Sequence, residues 1–285
     1  MNGFQKVVKI GAICFAIYLI FNILVWSMMG LGLLTSIIGI DEDRKNERAE
    51  IYITEGEEQN IIFAEKEYNK IEKIKIDIKY SELYISLTDD NELIVDTDCS
   101  KDKIKIETNN NVLRIKEESD WFFRTKNLGK IQINIPQNMN IEKLELDTGA
   151  GKIMLNEIQA ERLDVNHGAG KFEISNCDFQ NTKIKAGAGE VKISDSRLNN
   201  LELDAGVGRA EIVGEITGDS EIKCGIGEID IVLKGEEEDY MITAEKGIGS
   251  LRINGKSYSS ETTYGDGDDR IRIEGGIGAI NIKFN

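Results

Sequence analysis

The sequence predicts an all-β protein: a parallel β-solenoid, β-helix-like, of about 19-residue coils, preceded by one N-terminal transmembrane helix. Three observations predict it. The tripeptide Gly-X-Gly, with Ala, Val or Ile at X and alternating apolar residues around it, recurs seven times, and the first five of these copies start 19 residues apart. Around each copy, apolar residues alternate with polar ones at the period of a half-buried strand. Ahead of all this, residues 10–40 contain no charged side chain, which is enough apolar length to cross a bilayer.

The repeat corners are Gly149 and Gly151, Gly168 and Gly170, Gly187 and Gly189, Gly206 and Gly208, Gly225 and Gly227, Gly247 and Gly249, and Gly276 and Gly278. Counting from the middle residue X as zero, positions −6, −4, −2 and X share one face, and the next apolar positions are +3 and +5. The fourth copy reads Leu201, Leu203, Ala205, Val207, then Ala210 and Ile212. The alternation therefore changes parity once, just after the glycines. Glycine tolerates positive φ, so this is the signature of a corner between two strands. One such unit cannot bury its apolar side, but stacked units can. The expected interior columns are Leu146, Val165, Ile184, Leu203 and Ile222 at −4, and Leu155, Ile174, Ile193, Ile212, Ile231, Ile253 and Ile282 at +5.

In chain order, Lys6 and Lys9 precede the uncharged run and Asp41, Glu42 and Asp43 follow it. The positive-inside rule then makes residues 1–9 a cytoplasmic N-terminus, 10–40 a single-pass anchor in the cell membrane, and 41–285 extracytoplasmic. A cleaved signal peptide would have a shorter apolar core and a small-residue cleavage site, so the anchor is the better reading. The run exceeds one span, which leaves room for a second, re-entrant pass by residues 30–40. Residues 41–70 read as a charged stalk. Residues 71–140 read as degenerate N-terminal rungs: Ile74, Ile76, Ile78, Tyr80, then Leu83 and Ile85 repeat the corner step with Tyr80 at zero and no glycines. Trp121, Phe122, Phe123 and Arg124 read as a cap. Residues 141–285 form the regular Gly-X-Gly solenoid. The last two steps lengthen to 22 and 29 residues, which places insertions at 236–240 and 257–270, and such insertions are where repeat proteins often carry function. The sequence stops at Ile280, Ile282 and Phe284, so the last rung is expected to leave an open edge for another chain.

The segment IQINIPQNMNIEKLELDTGAGKI from Ile131, with the Gly-[Ala/Val/Ile]-Gly coils, resembles the bacterial "putative adhesin" family of β-strand-repeat proteins. The resemblance covers 71–285. It implies a β-repeat fold, adhesion, and membrane-anchored relatives encoded beside envelope-stress regulators. It transfers no catalytic residue.

The chemistry is sparse. The only histidine, His167, lies in the −2 column without a partner constellation. Cys14, Cys99, Cys177 and Cys224 lack metal or disulfide spacing. Strands follow each of the seven Gly-X-Gly corners, which excludes a dinucleotide loop, so no cofactor is expected. Asp266, Asp268 and Asp269 on a glycine-rich turn are the one calcium candidate, set against a plain solvated turn. A net charge of −16 excludes nucleic acid and anionic lipid as partners. The expected function is a non-enzymatic, membrane-anchored adhesin or scaffold at the bacterial cell envelope, with an envelope protein or polysaccharide as partner. The alternatives are an accessory regulator of envelope-stress signalling acting through residues 10–40, and a carbohydrate-active enzyme on a solenoid flank.

Overall fold

The computed structural model describes residues 59–99, 104–118, 129–259 and 261–285. The anchor at 10–40, Cys14 and the Trp121–Phe122–Phe123–Arg124 cluster lie outside the described residues. Among the described residues no helix is long and apolar enough to cross a membrane.

The chain is all-β. Seven long strands build the repeat: β8 (Lys143–Asn156), β9 (Gln159–Ser175), β10 (Asp178–Asn199), β11 (Leu201–Thr217), β12 (Asp219–Leu233), β13 (Tyr240–Ile253) and β16 (Asp269–Phe284). Each bends at its Gly-X-Gly and pairs in parallel with its neighbours. Leu146 faces Val165, which faces Ile184, which faces Leu203, which faces Ile222. These side chains are buried in one continuous core that runs from Ile61 to Ile282. Like residues thus stack at the spacing of parallel strands, about 4.8 Å. The +3 and +5 columns are buried in the same way, from Ile153 and Leu155 to Ile280 and Ile282.

Among the seven long strands, the stacking order departs from chain order at one place. β16 lies between β12 and β13, pairing Ile231 with Ile282 and Ile282 with Ile253. The expected succession Ile231, Ile253, Ile282 is therefore corrected to Ile231, Ile282, Ile253. The cause is the long last step. After β13 the chain reverses at Asn254-Gly255, whose φ values are 48° and 77°, the left-handed pair a tight hairpin turn requires. β14 (Lys256–Tyr258) runs back along Leu251–Ile253, and β15 (Thr262–Tyr264) runs antiparallel to Ile242–Ala244. Only then does β16 enter the gap between β12 and β13.

This also corrects the expected open edge at Ile280–Ile282–Phe284. β16 is paired on both sides, and the outer edge belongs to β13. Both arms of β13 are covered, by β15 and β14. The 257–270 insertion read as a functional loop supplies this cover, while the 236–240 insertion forms a short 3-10 turn, Glu237–Asp239, that leads into β13. Tyr264 stacks on Phe284 at 5.9 Å between ring centres, Phe284 packs on Tyr240 at 5.7 Å, and the Tyr240 hydroxyl donates to the Lys234 carbonyl at 2.7 Å.

At the other end, β8 pairs with two short strands. β2 (Lys73–Ile78) lies along its first arm and β3 (Glu82–Thr88) along its second. Ile78 faces Thr148 and Leu83 faces Ile153, so Tyr80 stands opposite Ala150, as the degenerate rung predicts. Beyond β2 come β6 (Val112–Glu117) and β5 (Ile104–Asn109). Beyond β3 come β7 (Lys130–Pro136), β4 (Leu93–Thr97) and β1 (Gln59–Phe63). The stalk boundary is corrected here. Residues 59–63 pair antiparallel with β4, Ile61 and Phe63 are buried, and the short helix α1 (Glu65–Tyr68) buries Tyr68. The charged residues around Ile61 and Phe63 obscured a strand only five residues long.

Candidate functional site

The corners form a column along the stack, and two different constraints make them glycine. A Cβ on the first glycine of each pair would strike the equivalent carbonyl of the coil before it; at Gly225 the gap to the Gly206 oxygen would be 2.6 Å. From Gly170 onward the second glycine has the same difficulty, and all seven second glycines sit at φ between 122° and 150°, where side chains are strained. Gly276 meets the Gly225 carbonyl and Gly247 the Gly276 carbonyl, so the glycines follow the rearranged order as well.

All corners point the same way. The Ala150 N–H donates to the Lys79 carbonyl at 2.8 Å, and each later corner rests against the carbonyls of the one before. The column therefore ends in orphan N–H groups at Tyr80 and orphan carbonyls at Ile248. Buried backbone groups need partners, and side chains supply them. One oxygen of the buried Glu117 carboxylate accepts from the N–H groups of Lys79, Tyr80 and Ser81 at 2.7, 3.0 and 3.3 Å. At the far end the Lys246 ammonium donates to the Gly249 carbonyl at 2.8 Å.

The X residues point outward. This corrects the expectation that X shares the interior face: the bend at the glycines leaves X at the outer vertex and buries −2 and +3 instead. In the early coils X is alanine. In the last four it is a large apolar residue, and their spatial order is Val207, Ile226, Ile277, Ile248. Their exposures are 46%, 38%, 48% and 74%. Four branched side chains in register on solvent form a continuous apolar row, flanked on both sides by glycine backbone. Between the covered arms of β13, residues 245–250 leave the Ile248 end of that row uncovered.

Elsewhere the outer faces carry opposite charges in neighbouring coils. Lys143 bridges Asp164 at 2.6 Å, Lys183 bridges Glu202 at 2.6 Å, and Lys192 reaches Glu211 at 3.4 Å. These pairs hold register across strands. Asp147 stands opposite Asp77 on the outer face, and partial desolvation against the sheet together with that neighbouring carboxylate raises its carboxyl above the usual range.

His167 is buried. Its Nδ1 lies 2.9 Å from the Thr148 hydroxyl, while Nε2 has no partner. Burial pushes its pKa down, so the ring is a neutral core group. Cys177 and Cys224 are free thiols in the interior, and Cys99 is buried there beside the Ser81 hydroxyl. The calcium candidates do not assemble a site: among the described residues no three of His, Cys, Asp and Glu gather around a common point. Asp269 instead accepts the Gly218 N–H at 2.7 Å, and the glycines of that turn are required because Gly265 and Gly267 press against the backbone of Asp239 and Tyr240.

Sequence reasoning missed Glu117, Lys246 and a second set of corners. Glu157, Asn176 and Asp195 take positive φ of 60°, 55° and 51° at +7 in successive coils. Asn and Asp at a fixed offset were the available signal for that column.

A search of curated proteins finds no match. Among solved structures, the chain is similar to one described as a "putative cell adhesion protein" from Clostridium sporogenes, at 21% identity over 80% of this chain and 99% of that one, with a TM-score of 0.36. It is also similar to a "putative adhesin" from Bacteroides fragilis, at 13% identity over 79% and 96%, TM-score 0.41. A third, a "putative adhesin" from Parabacteroides distasonis, gives 15% identity over 79% and 95%, TM-score 0.38. The family model described as Toastrack DUF4097 matches residues 71–275, from the first degenerate rung to the rearranged last coil. The chain belongs to the Toastrack DUF4097 family.

Proposed function

We propose that this is a non-enzymatic interaction protein of the bacterial cell envelope, an adhesin or scaffold. Residues 10–40 tether it in the cell membrane, with residues 1–9 in the cytoplasm and 41–285 outside. The observation that carries the reading is the row Val207, Ile226, Ile277, Ile248. An ordered strip of exposed branched side chains on an otherwise charged, self-repelling exterior marks a contact surface. A rigid column of backbone holds the strip in register, so binding costs little ordering of the protein. The net charge of −16 argues against a nucleic acid or an anionic membrane as the partner, and an apolar patch on an envelope protein fits the strip.

The test is capture from envelope extract by the full-length chain, compared with Ile248→Ser/Ile277→Ser. The proposal expects the wild type to retain an envelope protein that the double variant loses. Equal capture by both would remove the row from the account.

A further inference from the structure

A second feature lies away from the corners. Where the segment after β7 crosses to β8, a groove of about 510 Å³ opens along the closing side of the first coils. That volume falls within the range of small-ligand sites. Its floor shows a narrow apolar strip from Met139 and Ala160, at 8% and 9% exposure, above the fully buried Ile135 and Ile158. Its walls carry the carboxamides of Gln137, Asn138, Asn140, Gln159 and Gln180 and the carboxylates of Glu161 and Asp178.

Five carboxamides and two carboxylates therefore surround one narrow apolar floor. Three of the carboxamides are anchored to neighbours. Asn138 accepts from the Tyr68 hydroxyl at 3.0 Å, Gln137 donates to Asp89 at 2.5 Å, and Gln180 donates to Asp178 at 3.3 Å. Asn140 and Gln159 have no side-chain partner among the described residues and are exposed at the groove. A carboxamide presents a donor and an acceptor side by side. That pair matches two adjacent hydroxyls, each of which also donates and accepts. The narrow apolar strip of Met139 and Ala160 beneath such groups suits contact with the C–H edge of a pyranose ring. The surplus of negative charge on the chain disfavours an acidic ligand.

From this lining we infer that the groove is a binding subsite for an uncharged saccharide, with Asn140 and Gln159 as its recognition residues. The inference deepens the reading of the chain as an interaction protein by adding a glycan to its ligands. It rests on residues separate from the corner row, so each can fail without the other.

The experiment titrates the full-length chain with chitotetraose, maltotetraose and tetragalacturonic acid, following backbone amide shifts. At least one neutral tetrasaccharide is expected to bind with a Kd at or below about 1 mM and to move the amides of residues 137–141 and 158–161. The acidic tetrasaccharide is expected to bind at least about tenfold more weakly, as like charge dictates. Asn140→Ala/Gln159→Ala should weaken the neutral ligand at least about tenfold through the lost hydrogen bonds. Glu202→Gln, on another part of the flank, should leave binding unchanged. The inference is overturned if neither neutral tetrasaccharide binds, if the acidic one binds equally well, or if the shifts fall outside the groove. Unchanged affinity in the double variant would overturn it too. The shift map on the wild type stands even if that variant does not fold.

Discussion

Glu117 and Lys246 close opposite ends of one column of corners. The carboxylate takes the N–H groups that have no preceding coil, and the ammonium takes a carbonyl that has no following coil. The arrangement parallels the ends of an α-helix, where aligned peptides leave donors at one end and acceptors at the other and opposite charges settle there. Glu117→Gln should therefore destabilise the protein by about 2 kcal/mol, the scale of hydrogen bonds to a charged acceptor. Urea unfolding gives the loss, and faster amide exchange at Lys79, Tyr80 and Ser81 locates it. Lys246→Met, at the exposed end, should cost less than about 0.5 kcal/mol.

The corner glycines differ sharply from the hairpin glycine. At Gly208, φ is 143° and a Cβ would overlap the Gly189 carbonyl. Gly208→Ala should cost about 3 kcal/mol. Gly255 also has positive φ, but nothing lies within 4 Å of its Cβ position, and Gly255→Ala should cost about 1 kcal/mol. Thermal unfolding of the two variants separates close approach from dihedral strain alone.

His167 is the chain's only histidine, which makes its titration readable. Burial lowers its pKa in the folded state, while the unfolded chain titrates near about 6.5. The unfolded state therefore binds the extra proton first as pH falls. Stability should be full above about pH 6.5 and decline below it. The neighbouring coil carries Ala186 at the same column position, so His167→Ala is a conservative probe. Urea midpoints at about pH 7.5 and 5.5 should diverge for the wild type and converge for the variant.

Ile248 and Ile277 contribute to the surface, not to the core. Ile248→Ser and Ile277→Ser should each shift stability by no more than about 0.5 kcal/mol. Ile273→Ala, buried one column inward, should cost about 2–5 kcal/mol. If the serine variants were as damaging as Ile273→Ala, the row would be packing and not a contact surface.

Much of this fold was legible because a solenoid writes its contacts into a local period. Val165, Ile184 and Leu203 sit 19 residues apart and meet in space one coil apart. The −4, +3 and +5 columns follow from alternation alone. The degenerate rung was legible as well, since Ile78 and Leu83 keep the corner step without glycine. The facing of X was not: alternation assigns Val207 to the core, whereas the bend at Gly208 turns it out. The insertion of β16 between β12 and β13 was not legible either. Every coil offers nearly the same columns, so stacking order depends on where the chain is free to travel. The Asn254-Gly255 hairpin that permits it is a strong local signal, but its consequence is topological. Glu117 reaches across 36 to 38 residues to the corner it caps, and no periodic pattern marks such a contact.

The most direct measurement places a photo-crosslinking residue at Ile248 and, as a control, at Ile273 in the full-length chain within intact cell envelope. The account predicts a discrete crosslinked protein from position 248 and none from 273. The same background from both positions would contradict it.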